Sequence, residues 1–264
     1  MILRIDLYLI VLGLCCLSVA QSGTTNPSTP KQPEITQTGS VIHLVVSGPR
    51  PLADAVDALQ KKYGWNINYE DPQFVAKSDL VESADGRYIN PVTGAKPHLP
   101  NGASFSVDFS AGAGTTPDPA ATLKTVVEAY NKSSNPGQFE LRVREGYFDV
   151  VGIAARDDSG KIQKQSPPLD TFVTLSAQEM PAKDIMNSIC EQISKLTGQT
   201  INVGVYPRSL LGQTITPAAA KLPARDAISK VLSQTLSGTS KTVHWHLLYD
   251  LDTKGYFLNL LLAH

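Results

Sequence analysis

Four segments of this chain carry the same punctuation, and that repetition limits what it can fold into. Each opens on proline, runs through apolar residues at helical spacing, and stops at or just before glycine. The stripes are Leu52, Ala55, Val56, Leu59 and Tyr63; Leu123, Val126, Val127 and Tyr130; Ile185, Ile189, Ile193 and Leu196; and Ala224, Ala227, Ile228, Val231 and Leu232. Proline suits a first helical turn, where its missing N–H would be unpaired anyway, and glycine suits the left-handed residue that ends a helix. Spacing of i, i+3, i+4 and i+7 gives each helix one apolar face to bury.

Between the helices, apolar residues alternate at period two, as in strands. The first half gives Ile42/Leu44/Val46, Trp65/Ile67/Tyr69, Phe105/Val107/Phe109 and Phe139/Leu141/Val143, then a turn at Arg144-Glu145-Gly146 into Tyr147. The second half gives Phe172 to Leu175, Ile201/Val203/Val205, a short strand over Gln213 to Thr216, Val243/Trp245/Leu247 and Tyr256 to Leu262. The order strand-helix-strand-strand-helix-strands thus occurs twice. Local matches reinforce it: Gly64-Trp65-Asn66-Ile67-Asn68 parallels Gly198-Gln199-Thr200-Ile201-Asn202, and Gly146-Tyr147-Phe148 parallels Gly255-Tyr256-Phe257. The expected fold is α+β, two tandem βαββαββ modules, each a small mixed sheet packed by two helices.

The expected division is a signal peptide over 1–20, a disordered linker over 21–40, a first module over 41–165 and a second over 166–264. Arg4, the apolar run Leu7 to Leu17 and the small residues Ser18 and Ala20 fit a cleaved export signal, too short to span a bilayer comfortably. Leu14 before Cys15 disfavours a lipid anchor. The linker is rich in Thr, Ser, Pro and Gln. Ser166-Pro167-Pro168 marks the module boundary. A periplasmic or secreted protein with no membrane span after signal removal is the expected product. At a net charge of −1 no global field favours nucleic acid. Past the signal, Cys190 is the one cysteine; its apolar neighbours Met186 and Ile193 make it a buried hydrophobe, and no disulfide can form within the mature chain.

The copies differ at residues 71–102, a long Pro/Gly-containing loop whose counterpart, 206–212, is short. Long loops in compact domains often carry function. Phe74, Arg87, Tyr88 and His98 in it are the candidate binding anchors, with capping of the first module's core the other role open to Phe74 and Tyr88. A hairpin is expected between Leu80–Glu82 and Arg87–Ile89.

The run Pro51-Leu52-Ala53-Asp54-Ala55-Val56 through Tyr63-Gly64-Trp65-Asn66-Ile67-Asn68-Tyr69 resembles the short N-terminal domain of secretins and TonB-dependent receptors, and residues 182–203 look like the same unit. Residues 41–264 also resemble a group of exported bacterial proteins of unassigned activity, in which the run Gly64 to Pro72 is the distinctive feature. The resemblance implies a periplasmic protein-contact role; no channel or barrel domain follows in this sequence.

No catalytic or cofactor motif stands out. Gly112-Ala113-Gly114 precedes a helix but lacks the third glycine of a dinucleotide fingerprint, Pro117 standing there. Glu70-Asp71, Asp157-Asp158 and Glu82 with Asp85 read as turn or surface acids. His244 and His246 share one face of a strand. With Val243, Trp245 and Leu247 inward, that face should be solvated, and no third metal ligand is apparent, so no metal or cofactor is expected. The favoured function is a non-enzymatic protein- or peptide-binding module of the bacterial cell envelope. The alternatives are an exported hydrolase using carboxylates or a His-x-His metal site, and a structural spacer in an envelope assembly.

Overall fold

All four punctuated segments form helices in the computed structural model, which describes residues 32–83, 94–112, 115–237 and 242–262. These are α1 (Pro51–Tyr63), α2 (Pro119–Lys132), α3 (Ala182–Thr197) and α5 (Ala224–Thr235); a single short turn, α4 (Arg208–Leu211), lies between the last two. Gly64 and Gly198 end α1 and α3 in the left-handed conformation, at φ 72° and 73°. Asp118 caps α2 by accepting from the Ala121 N–H at 2.7 Å. Leu196 departs from its expected stripe and is exposed.

The strands are β1 (Glu34–Thr38), β2 (Val41–Val46), β3 (Ile67–Glu70), β4 (Leu80–Glu82), β5 (His98–Pro100), β6 (Phe105–Ser110), β7 (Gln138–Arg144), β8 (Tyr147–Arg156), β9 (Ile162–Lys164), β10 (Phe172–Leu175), β11 (Met180–Pro181), β12 (Ile201–Val203), β13 (Thr214–Ile215), β14 (Ala220–Pro223), β15 (Val243–Asp250) and β16 (Gly255–Leu262). In the first half β2 pairs antiparallel with β6, while β3 runs parallel to β8 and β7 antiparallel to it. In the second half β10 pairs antiparallel with β14, while β12 runs parallel to β16 and β15 antiparallel to it.

A separate sheet for each half is not what forms. Strand β15 runs parallel to β3, with His246 opposite Tyr69 and Leu247 opposite Glu70, and one seven-stranded sheet results in the order β12-β16-β15-β3-β8-β7, with β9 also on β8. The two cores lie on opposite faces of it. Leu52, Val56, Leu59, Leu123 and Val126 pack with Ile67, Tyr69 and Val150 on one face. Ile185, Ile189, Ile228 and Val231 pack with Trp245, Leu247, Tyr256 and Leu258 on the other. The expected interruption at Ser166-Pro167-Pro168 is part of this joint: the Leu169 side chain is buried in the second core and its N–H donates to Glu70 Oε1 at 3.2 Å.

Buried polar groups hold the joint between β3 and β15. Arg225 on α5 is 1% exposed; its Nη2 lies 2.7 Å from Glu70 Oε2 and 2.9 Å from Asp170 Oδ1, and its Nη1 lies 3.6 Å from Asp149 Oδ2. Burial pushes the Glu70 carboxyl above its usual range, and Arg225 pulls it part of the way back. Asn68 spans the joint, donating to Asp149 Oδ1 at 2.9 Å and accepting from the Trp245 N–H at 3.1 Å. Asp71 accepts from the Tyr249 N–H, the Tyr69 hydroxyl and Arg50 Nε at 3.0, 2.8 and 2.8 Å. Gly152 lies so close beneath Pro72 that an added Cβ would overlap the Pro72 backbone nitrogen.

Other expectations are corrected by pairing. The segment read as linker contains β1, which pairs with β2. Strand β4 pairs with β5, and Arg87–Ile89, the partner expected for it, lies outside the described residues. The short strand expected over 213–216 is β13; it pairs with β11, whereas β10 takes β14, a strand of four residues hidden by Pro223, which reads as the opening of the helix that follows. Val205 lies past the end of β12 and is exposed.

Removing the buried guanidinium while its carboxylates stay should be costly. Arg225→Ala should lower unfolding free energy by about 3–5 kcal/mol, read as a reduced urea midpoint; a loss below about 1 kcal/mol would show that the ion cluster does not hold the joint. Gly152→Ala should lose about 1–3 kcal/mol in the same assay, because the Pro72 backbone has to shift.

Candidate functional site

Strand β15 lies inside a sheet with helices on both faces, so its alternation does not separate core from solvent. Trp245, Leu247 and Tyr249 enter the second core. His244 and His246, expected on a solvated face, are 5% and 4% exposed and sit beneath α1. The reason is the pairing with β3, which carries this face of β15 into the first half of the molecule. His246 meets the Tyr69 ring edge-on at 5.6 Å between centroids.

Helix α1 supplies the partners. Its first-turn residue Asp54, then Asp57 and Gln60, lie at three-residue spacing on the same helix. Gln60 Oε1 accepts from the Ile67 N–H at 3.1 Å, and its Nε2 contacts His244 Nδ1. His246 Nε2 lies 3.2 Å from Asp57 Oδ1, although no protein atom meets it in hydrogen-bond geometry. Potential ligand atoms of Asp57, His244 and His246 all fall within 4.8 Å of one another. The third ligand that the local sequence does not supply thus comes from a helix nearly 190 positions away (~187 positions).

Asp57 is half exposed and opens onto a cleft of about 650 Å³ between α1 and the start of the chain's first strand. Asp54, Asp57, Ala58, Lys61 and Lys62 form one wall, and Pro33 and Ile35 lie across from them. Burial, then the neighbouring Asp57 charge, push the Asp54 carboxyl up to about 6, while Arg50 and His246 oppose the shift. The site can therefore hold a cation between two imidazoles and a carboxylate, and take up a proton just below neutral pH.

The loop anchors fare differently. Phe74 is 3% exposed and packs in the second half's core, so it is not a surface contact, nor does it cap the first core. Arg87 and Tyr88 lie outside the described residues. His98 is exposed and bound to the second half: its Nδ1 lies 2.7 Å from Asp252 Oδ1, and its N–H donates to Asp252 Oδ2 at 3.1 Å. Asp79, buried at the base of the loop, pairs with Arg156 at 2.8 Å. Glu70 and Asp71 are joint residues rather than surface acids, whereas Asp157 forms a turn by accepting from the Ser159 and Lys161 N–H groups. Of the glycine run, residues 113–114 lie outside the described residues. Cys190 is buried, and desolvation raises its thiol to about 12, which leaves it inert as a nucleophile.

No family model, curated protein or solved structure matches the chain.

A carboxyl raised from 3.8 to about 6 on folding binds its proton more tightly in the native state. Its contribution to stability is complete below pH 3.8 and is lost as pH rises through 6. Asp54→Asn should therefore melt higher than the unmodified protein at pH 7.5, and the gap should close towards pH 3.8; thermal melts across that range check it.

Proposed function

We propose that this chain is a non-enzymatic binding module of the bacterial cell envelope. In this reading it comprises two tandem βαββαββ units fused through one sheet, and the cleft beside α1 receives an extended segment of a protein partner. The observation that carries the reading is the cleft's construction. Strand β1 pairs with β2 along one side and stands at the end of its three-stranded sheet. Its inward residue Ile35 lies over α1, beside two acids and two lysines. An extended peptide can add to such a strand through main-chain hydrogen bonds and place alternate side chains in the cleft. Asp54 and Asp57 would select basic side chains, and Lys61 and Lys62 acidic ones.

Several observations support the tandem part. The strand pairings of the two halves follow the same order, and both halves place two proline-opened helices between a small antiparallel pair and the shared sheet. Equivalent strands reverse direction across the sheet and their helices change face, which is the relation produced by a half-turn about an axis lying across the strands combined with a shift along it. The resemblance to the secretin and TonB-receptor short domain and the export signal support an envelope setting.

Photo-crosslinking in the exporting host tests the groove. A photoreactive residue at Ile35 or Ala58 should give one discrete adduct that a reporter at exposed Val143, on a different strand, does not give. Ala58→Arg, which fills the cleft, should abolish the adduct from Ile35. Identical adduct patterns from all three positions, or an adduct from Ile35 unchanged by Ala58→Arg, would overturn the groove.

A further inference from the structure

We infer that Asp57, His244 and His246 form a binding site for one divalent transition-metal ion of the zinc class. The inference goes beyond the groove reading and stands on separate geometry. Two imidazoles and one carboxylate are borderline donors suited to zinc, and no thiol is needed. Strand alternation places both imidazoles on one face, and the pairing of β15 with β3 brings that face under Asp57 on α1.

Two observations point to an ion rather than to a satisfied core histidine. His246 is 4% exposed, yet its Nε2 makes no hydrogen bond to the protein. That nitrogen lies 3.2 Å from Asp57 Oδ1, close to the ~3.3–3.5 Å separating two ligand atoms of a tetrahedral ion with bonds near 2 Å. Gln60, its Oε1 taken by the Ile67 N–H, turns its Nε2 donor towards His244 Nδ1, so ligation through His244 Nε2 requires the ring proton to move to Nδ1 and this contact to give way. No two of the ligand atoms lie more than 4.8 Å apart, at most roughly 1.4 Å beyond the tetrahedral spacing, and the half-exposed Asp57 side chain has room to adjust. Asp57 borders the cleft, so an ion has a route in, and a cleft water can complete its coordination. Because Asp57 belongs to α1 and the histidines to β15, a bound ion would tie the two halves together.

The test uses tag-free mature protein, stripped with chelator and titrated with Zn²⁺ by calorimetry and with Co²⁺ by visible absorption. One equivalent should bind, Co²⁺ should show the intense bands of a four-coordinate site, and the melting temperature should rise with Zn²⁺. His246→Asn should weaken binding by about 100-fold or more, as loss of a direct ligand exceeds the 10–100-fold cost of losing its outer support. Should that variant fail to fold, Asp57→Asn, altered on the exposed side of α1, should show the same loss. His98→Ala, which removes a surface histidine already paired with Asp252, should bind as the unmodified protein does. Absence of stoichiometric binding, or full affinity in His246→Asn or Asp57→Asn, would overturn the site. The groove is read by crosslinking from Ile35 and the metal site by calorimetry on the purified protein with its ligands replaced one at a time, so failure of the groove and failure of the metal site give different results.

Discussion

The fold turns on one buried guanidinium. Arg225 reaches from α5 across the sheet to Glu70 and Asp149 of the first half and to Asp170 in the connecting segment. Removing such charges from water is expensive, and mutual attraction offsets that only when geometry is good and the remaining polar atoms are satisfied. Here the 2.7 Å contact to Glu70 and the Leu169 N–H on the same carboxylate meet that condition, whereas the 3.6 Å approach to Asp149 meets it only partly. The cluster is therefore better understood as setting register than as adding stability. Sliding β15 by one residue along β3 would drive His244 and His246 into the second core and turn Trp245 and Leu247 towards α1. The Asn68 bridge to the Trp245 backbone and the Asp71 bridge to Tyr249 oppose that slip from either side of the paired residues.

Fixing register at this joint explains why the long segment after β3 is less free than its composition suggests. Asp71 and Pro72 continue directly from the joint, and Phe74 fills part of the second core. Asp79 is held by Arg156, and His98 returns to the Asp250–Gly255 turn region through Asp252. The segment is thus a strap from the first half across to the second, with its described ends carrying structure. Any partner contact made by this insertion has to come from residues other than Phe74.

Helices were legible in the sequence because their signals are local. Proline and a 3.6-residue apolar stripe lie within some 15 residues of one another, and a left-handed glycine closes α1 and α3. The mixed α and β character follows from the same reading. The single sheet was not legible, because period two tells which residues share a face but not what each face meets. Asn68 and Glu70 alternate with Ile67 and Tyr69 as residues of a half-exposed strand would, yet all four are buried. The same holds for His244 and His246 between Val243, Trp245 and Leu247. Only the parallel pairing of β15 with β3, two segments about 175 residues apart, converts those polar faces into interior. Asp57 had no signal at all, being one polar residue among several on the outer side of an amphipathic helix.

This accounts for the one run that was distinctive without an evident reason. In Gly64 to Pro72, Gly64 ends α1 and Ile67 and Tyr69 feed the first core. Asn68, Glu70 and Asp71 make the joint, and Pro72 seats on Gly152. The corresponding run after α3 has Asn202, Gly204 and Val205 at these positions, so the carboxylates that receive Arg225 and Tyr249 have no equivalent there. Helix α2 likewise carries Ala121 where α5 carries Arg225, counting from the proline that opens each. The buried pair of Arg225 with Glu70 therefore occurs once, at the inner joint, and Arg142 on the outer strand β7 extends the same cluster by pairing with Asp170 at 2.6 Å. The cluster thus runs from α5 over β3 and β8 to β7, while β1 and its cleft lie outside the shared sheet.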